Sequence, residues 1–139
     1  PRIVVGVDGS DSARNALRWA LTEASVRNLP VVVVNGWMEP TVVATFPGMA
    51  SPIDAISKAA SNLIEAELEM AAQDAAGVTV RVQAVSASGA SALVDESRGA
   101  SLVVVGSKGQ GGLSRVLLGS VAQQVMCHAE CPVVVIPEN

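Results

Sequence analysis

Five short runs of β-branched residues, spaced along the whole chain, limit its possible folds most narrowly. Each run has the length of a strand, and the segments between the runs repeat their apolar residues with the 3.6-residue period of a helix. Strands that alternate with helices predict an α/β fold, in which a parallel sheet is covered by helices on both faces. The runs cover residues 2–8, 30–36, 78–84, 101–106 and 132–137.

The segments between the runs predict four helices. Ser10 or Asp11 can serve as the N-cap of the first helix, because both side chains accept hydrogen bonds from backbone N–H groups. The second helix ends before Gly77, a residue type that commonly follows a helix. The apolar stripes of the four helices cover residues 13–24, 56–70, 90–98 and 121–129.

The strands differ in their expected burial. Residues 3–5, 31–34 and 102–105 are apolar without a break, which is typical of strands buried on both faces. The run at 78–84 instead alternates valine with polar residues, which predicts an edge strand with one wetter face. The sequence therefore indicates which strands lie in the centre of the sheet.

Length and composition exclude several classes of protein. A chain of 139 residues is most simply one domain, residues 1–139. The net charge of −4 and the 2% of aromatic residues argue against nucleic-acid binding, which needs a basic face. No apolar run approaches the length of a membrane span and the start does not resemble a signal peptide, so we expect a cytoplasmic protein without membrane association.

Two cysteines and the one histidine lie together in the segment "CHAEC", residues 127–131. A structural zinc site needs four ligands, and the sequence has no other Cys or His. We interpret Cys127 and Cys131 as small buried thiols where a helix meets a strand. His128 then lies at a helix C-terminus, where the helix dipole favours a positive charge.

Glycines cluster in "GSKGQGGLSRVLLGSV", residues 106–121, between a buried strand and a helix. Ligands of open α/β sheets bind beyond the carboxyl ends of the strands. Ser120 and Gln123 have the spacing of a capping box, which predicts that Ser120 caps a helix beginning at Val121. A helix N-terminus preceded by glycine presents free N–H groups to an anion. The P-loop spacing is absent, and Ser114 stands where the dinucleotide motif G-x-G-x-x-G needs its last glycine.

The remaining spacing, Gly106-x2-Gly109-x9-Gly119-Ser120, resembles the G-x2-G-x9-G-S/T motif of the ATP-binding branch of the universal stress protein family. The similarity extends over the chain, through "IVVGVDGS", "LVVVGSKG", "LLGSV" and "CPVVVIP". The resemblance implies a Rossmann-like fold of the adenine nucleotide alpha hydrolase type, with an open five-stranded parallel sheet in the order 3-2-1-4-5. It also implies that the protein binds ATP.

The resemblance further implies roles for individual residues. Asp8 lies near the ribose and can hold Mg²⁺, Gly6 and Val7 lie beside the nucleoside, and Val105 forms the apolar side of the adenine pocket. An alternative for Asp8 is to cap the next helix, although Ser10 and Asp11 are better placed for that task. The residues that match the triphosphate cradle are Gly106, Gly109, Gly119, Ser120 and Val121.

Two features depart from the family's pattern. The second strand ends in Asn35-Gly36 where a His-Val-like pair is common, and Gly36 would make the adenine pocket roomier. Lys108 lies within the loop and suits a phosphate as a point charge. Arg115 could also contact the phosphates, and either of these two residues could instead be an ordinary solvated side chain.

A regulatory ATP-binding protein of the stress response is the preferred functional hypothesis. Hydrolysis needs a group that positions water, and the sequence offers no evident general base. One alternative is a slow ATP hydrolase, in which Asp8 holds Mg²⁺ and Lys108 neutralises charge. Another is an interaction domain of the same fold that binds no nucleotide. The stress, the pathway and any protein partner are not indicated.

Two further hypotheses concern segments outside the glycine loop. Residues 37–52 form a long apolar connection, which could close over the nucleotide as a lid or pack on the end of the sheet. The last strand, Val133–Ile136, is an apolar edge with few residues after it to protect it. We therefore expect a homodimer that pairs two such edges antiparallel around a two-fold axis.

Overall fold

Across the residues that the structure describes, five strands and four helices alternate, as the sequence predicted. The computed structural model describes residues 1–37, 52–86, 89–108 and 118–138. All strands are parallel, and their order is β3-β2-β1-β4-β5, which confirms the predicted topology. The elements are β1 (Ile3–Gly6), α1 (Asp11–Arg27), β2 (Val31–Trp37), α2 (Pro52–Met70), β3 (Val80–Ser86), α3 (Gly89–Ser97), β4 (Leu102–Gly106), α4 (Ser120–His128) and β5 (Val133–Ile136).

The core occupies both faces of the three central strands, β1, β2 and β4. Ile3, Val5 and Val104 turn to the face that α1 and α2 cover, whereas Val4 and Val103 turn to the face that α3 and α4 cover. Successive side chains of a strand point to opposite faces, so an unbroken apolar run serves both layers. The predicted burial of these strands is confirmed.

Strand β3 begins and ends two residues later than the sequence predicted. It pairs with β2 in register from Val31 opposite Val80 to Trp37 opposite Ser86, so the length of β2 determines where β3 ends. It lies at the edge of the sheet, as expected. Val80 packs on the core, but Val82 is 40% exposed, so the expected alternation of a wet and a dry face is only partly realised.

Helices α1 and α4 begin differently. Ser10 is the N-cap of α1, and its Oγ accepts a hydrogen bond from Ala13 N–H. At α4 the predicted capping box is wrong. Gly119 is the N-cap, Ser120 is already helical, and the side chain of Gln123 donates to the carbonyl oxygen of Leu118 instead. With glycine at the cap, α4 has no side-chain cap.

The segment that contains the cysteines follows the prediction in part. His128 ends α4, as expected. Cys127 is exposed, which corrects the expectation of a buried thiol there, and Cys131 is half-buried. Burial raises the pKa of the Cys131 thiol above its ordinary value, while the nearby charge of Arg2 acts in the opposite direction. None of the described helices is both long and apolar enough to cross a membrane.

Candidate functional site

A cleft opens at the carboxyl ends of β1, β2 and β4, where ligands of open α/β sheets bind. It encloses about 580 Å³, including its open mouth. Strand β1 lies between β2 and β4, so the order of the strands reverses its direction at this point of the sheet. The lining residues are Gly6, Val7, Asp8, Ala13, Val34, Asn35, Gly89, Leu93, Val105, Gly106, Lys108, Gly119, Ser120, Val121 and Ala122.

Most of the residues predicted for the site line this one cleft. They come from the end of β1, the end of β4 and the start of α4. Gly36 lies in β2 opposite Val85 and is not among the lining residues. At that end of β2, its neighbour Asn35 lines the cleft instead. Gly109 and Arg115 lie outside the described residues, as do residues 38–51 of the connection interpreted as a lid or a cover.

The N-terminus of α4 supplies hydrogen-bond donors to one end of the cleft. The first backbone N–H groups of a helix have no acceptor within it. In α4 the first N–H to bond to a preceding carbonyl is that of Gln123, which donates to Gly119 at 3.1 Å. Gly119 N–H donates to Ser107 at 2.6 Å and thereby ties the two ends of the glycine loop together. Within the helix the N–H groups of Ser120, Val121 and Ala122 have no acceptor, so they can serve a ligand at the positive end of the helix dipole.

Lys108 lines the same cleft and carries a positive charge. Its side chain is 24% exposed, and Nζ lies 4.0 Å from Oε2 of Glu138. Together with the N-terminus of α4, the ammonium group makes this end of the cleft suitable for a phosphate or another anion.

Gly106 allows β4 to approach the first turn of α1. A Cβ atom built on Gly106 would lie 2.7 Å from the backbone nitrogen of Ala13 and 2.7 Å from the carbonyl carbon of Ser12. Backbone atoms cannot move aside as the end of a long side chain can, so this position requires glycine. The resemblance assigned Gly106 to the phosphate cradle. The structure adds a packing reason for glycine that would hold without any ligand.

Asp8 lines the cleft and holds the start of α1. Its Oδ1 accepts a hydrogen bond of 2.8 Å from Ser10 N–H. The two alternatives for Asp8 are therefore compatible, because one carboxylate oxygen orders the turn before α1 while the residue also lines the cleft. Among the described residues, no group of three or more His, Cys, Asp or Glu side chains could hold a metal ion by itself. Mg²⁺ is commonly held by one or two carboxylates together with substrate phosphates, so the single carboxylate of Asp8 fits that mode.

The other end of the cleft is apolar. Val34, Leu93 and Val105 line it, each almost fully buried. Gly6 allows close packing there, since a Cβ atom on it would lie 2.8 Å from Cδ1 of Leu93. This end suits a flat, largely apolar group such as a nucleobase.

Asn35 is the main lining residue that the sequence did not single out for contact. It is 8% exposed, and its Nδ2 donates to the carbonyl oxygen of Val7 at 2.5 Å. This bond joins the ends of β1 and β2 beneath the cleft. The available signal was a polar residue directly after an unbroken run of valines. Ala13, Gly89, Leu93 and Ala122 were also not predicted, because the sequence does not indicate which helix residues meet which strand end. Val34 of β2 was predicted only as a buried strand residue.

Comparisons with known proteins agree with this geometry. The model of the universal stress protein family matches residues 1–137. A universal stress protein of Mycolicibacterium smegmatis is 37% identical over 139 residues, which cover 96% of this chain and 47% of the relative. The chain thus spans about half the length of the curated relatives it matches.

Two solved structures of similar proteins contain bound nucleotides. A universal stress protein in complex with cAMP has a TM-score of 0.72 and 26% identity, covering 99% of this chain and 97% of that one. The universal stress protein of Archaeoglobus fulgidus in complex with dAMP has a TM-score of 0.67 and 26% identity, covering 97% of this chain and 96% of that one.

Proposed function

Because this chain belongs to the universal stress protein family, we propose that it is an ATP-binding regulatory protein of the stress response. In this proposal residues 1–139 act as one nucleotide-binding unit, and the bound nucleotide changes the protein's shape or its partners. The role requires a compartment that contains ATP, so the proposal retains the cytoplasmic location expected from the sequence.

The observation that carries the proposal is the shared cleft of Lys108 and the uncapped N-terminus of α4. Backbone N–H groups, the positive end of a helix dipole and the charge of Lys108 meet at one cleft, which makes it suitable for an anion. A ligand with several linked phosphates would use more of these donors than a single carboxylate or phosphate would.

The apolar end of the same cleft supports a nucleotide rather than a free phosphate. The related structures described with cAMP and dAMP both contain adenine nucleotides. In the proposed complex, the adenine contacts Val105 and its apolar neighbours. Asp8 lies near the ribose, and the phosphates contact Gly106, Ser120 and Val121.

Mg²⁺ would be held by Asp8 and by the phosphates of the nucleotide. When bound there it would neutralise phosphate charge. The fit rests on Asp8 being a single carboxylate at the cleft, which suits a metal that relies on substrate oxygens for its other ligands.

We propose regulation rather than efficient hydrolysis. Hydrolysis needs a residue that orients or activates water. Of the described residues that line the cleft, Asp8 is the acidic one, and its Oδ1 is already engaged by Ser10. Phosphate release from ATP should therefore stay well below the order of 10 per second of ordinary enzymes.

Thermal unfolding with different nucleotides tests the proposal. ATP with Mg²⁺ at about 100 times its dissociation constant should raise Tm by about 5–10 °C, because binding to the folded state alone stabilises it by about 2.7 kcal/mol. Inorganic triphosphate should have a smaller effect, since it lacks the base. Absence of any shift with ATP would favour an interaction domain that binds no nucleotide.

A homodimer through Val133–Ile136 completes the proposal. Strand β5 lies at the edge of the sheet, and all of its residues are only partly buried within one chain. Pairing of two such edges would satisfy free backbone groups and cover valines together.

A further inference from the structure

The backbone of Lys108 is hydrogen-bonded to Ser12, and its ammonium group lies near Glu138. We propose that these residues control nucleotide affinity in opposite directions. Ser12 is a positioning residue that fixes the backbone of Lys108 for phosphate binding. Glu138 supplies a carboxylate of the same chain, which competes with the phosphate for the ammonium group of Lys108. The proposal rests on the proposed function, since it assumes that the cleft binds a nucleotide.

Ser12 holds the backbone of Lys108 through a single hydroxyl group. The residue is 1% exposed. Its Oγ accepts from Lys108 N–H at 3.2 Å and donates to Lys108 C=O at 2.5 Å, and Ser10 Oγ donates to the same carbonyl at 3.2 Å. Both backbone polar groups of Lys108 are thus bound to the first turn of α1, which packs against Gly106.

This arrangement fixes where the glycine loop leaves β4. A lysine side chain has many rotamers, and its ammonium group reaches a phosphate reproducibly only when its backbone is fixed. Removal of the Ser12 hydroxyl leaves Lys108 N–H without this partner and loosens the start of the loop. The fold has other, larger sources of stability in the two apolar layers.

Glu138 contacts the other end of Lys108. Its Oε2 lies 4.0 Å from Lys108 Nζ. The segment after β5 is positioned by Asn15 of α1, whose Nδ2 donates to the carbonyl oxygens of Glu138 at 2.8 Å and Pro137 at 3.4 Å. The carboxylate is therefore placed by the same helix that positions the lysine backbone.

A phosphate can displace Glu138 from Lys108. Glu138 is 49% exposed, and exposed ion pairs are weak. A nucleotide with several phosphates carries more negative charge than the Glu138 carboxylate does. The N-terminus of α4 attracts these phosphates as well. Binding of the nucleotide then separates Lys108 Nζ from Glu138 while the lysine backbone stays in place.

The test is a calorimetric titration of the whole chain with ATP at low ionic strength. Ser12→Ala should lower affinity about tenfold, the size expected for the loss of a buried hydrogen-bonded group. Glu138→Gln should raise affinity about two- to fivefold, and the gain should shrink with added salt. In a Lys108→Gln background, Glu138→Gln should no longer change affinity.

Two matched variants control for general effects. Ser97 is also a buried serine, with Oγ bonded to Val94 and Glu130, but it does not line the cleft. Ser97→Ala should lower Tm and leave ATP affinity unchanged. Glu130 forms an exposed pair with Arg98, so Glu130→Gln removes the same charge without touching Lys108. It should not reproduce the gain of Glu138→Gln.

The possible failures are distinguishable. If the unmodified chain binds no ATP, the proposed function fails and this proposal fails with it. If it binds ATP and Ser12→Ala binds equally well, the positioning role is wrong. If Glu138→Gln leaves affinity unchanged or lowers it, the competition is wrong. Should Ser12→Ala not fold, Ser12→Cys takes its place, with a smaller loss expected from its weaker hydrogen bonds.

Discussion

The carboxylate of Glu67 in α2 binds the guanidinium of Arg14 in α1, with Nε 3.1 Å from Oε1 and 3.2 Å from Oε2. The Glu67 side chain is 4% exposed, whereas that of Arg14 is 40% exposed. Arg14 also contacts Asp11, so the pair lies beside the first turn of α1, which supports the cleft. The ion pair therefore joins α2 to the helix turn that positions Lys108.

Removal of Arg14 should destabilise the protein strongly. Arg14→Met leaves the buried carboxylate of Glu67 without a counter-charge, and breaking a buried pair in this way typically costs about 3 kcal/mol. Urea unfolding measures the change. The pair Glu23–Arg27 on the surface of α1 provides the control, because its side chains are more exposed and Arg27→Met should cost less than about 1 kcal/mol. Equal losses in the two variants would contradict this account of the buried pair.

Gly106→Ala should lower the free energy of unfolding by about 2 kcal/mol or more, since β4 and the first turn of α1 must move apart. Gly89→Ala is the matched control at the same cleft. A Cβ atom there would meet Val121 Cγ2 at 3.9 Å, an ordinary contact, and alanine suits the helix. We expect Gly89→Ala to be neutral or slightly stabilising. A neutral Gly106→Ala would show that the close approach does not determine the residue.

Gly119→Asp should have opposite effects on binding and on stability. Gly119 caps α4 with φ −71° and ψ 163°, which any residue can adopt, and aspartate is a good N-cap. The stability of the free protein should therefore be unchanged or rise by a few tenths of a kcal/mol. The new carboxylate would occupy the N–H groups and repel phosphates, so calorimetry should show at least a hundredfold loss of ATP affinity. Unchanged affinity in the folded variant would refute the phosphate assignment.

The dimer hypothesis gives a backbone test in β5. Val103 N–H donates to Pro132 C=O and Ser107 N–H donates to Ile136 C=O. Because peptide groups alternate in direction along a strand, Val133 and Val135 direct their N–H and C=O groups to the open edge. Val135→Pro should remove an edge donor and weaken the dimer while the ladder to β4 persists. Val135→Thr keeps both the shape and the N–H and should dimerise normally.

Sedimentation velocity at tens of micromolar measures both variants. We expect the unmodified chain and Val135→Thr to sediment as dimers and Val135→Pro to shift towards monomer. An unmodified chain that stays monomeric at high micromolar concentration would contradict the pairing of these edges.

Much of the fold could be predicted from local sequence. The apolar runs at residues 3–5, 31–34 and 102–105 are buried, because side chains on both faces of such a strand need to be covered. This burial could be predicted without knowing which strands are neighbours. The strand order was predicted from the family resemblance, because the sequence pattern of a strand does not show which strands pair with it. The bounds of β3 depended on its partner β2 and were missed by two residues.

The site was predicted less completely, for physical reasons. The Ser120 capping-box prediction used spacing alone, and Gly119 takes the cap position instead. The buried contact between Ser12 and Lys108 joins residues far apart in the chain, so no local pattern indicates it. The same holds for Gly106, whose need for glycine comes from α1, and for Asn35, whose partner is a backbone oxygen of another strand.

An amide NMR titration of the ¹⁵N-labelled chain with ATP shows, residue by residue, where the phosphates bind. We expect the largest saturable shifts at the amides of Ser120, Val121 and Ala122, which lie at the start of α4. The amides of Asn28 and Gly77 line a separate cleft with the ends of α1 and the turn before β3, and they should not move. Absence of shifts at the start of α4 while ATP binds elsewhere would contradict the account.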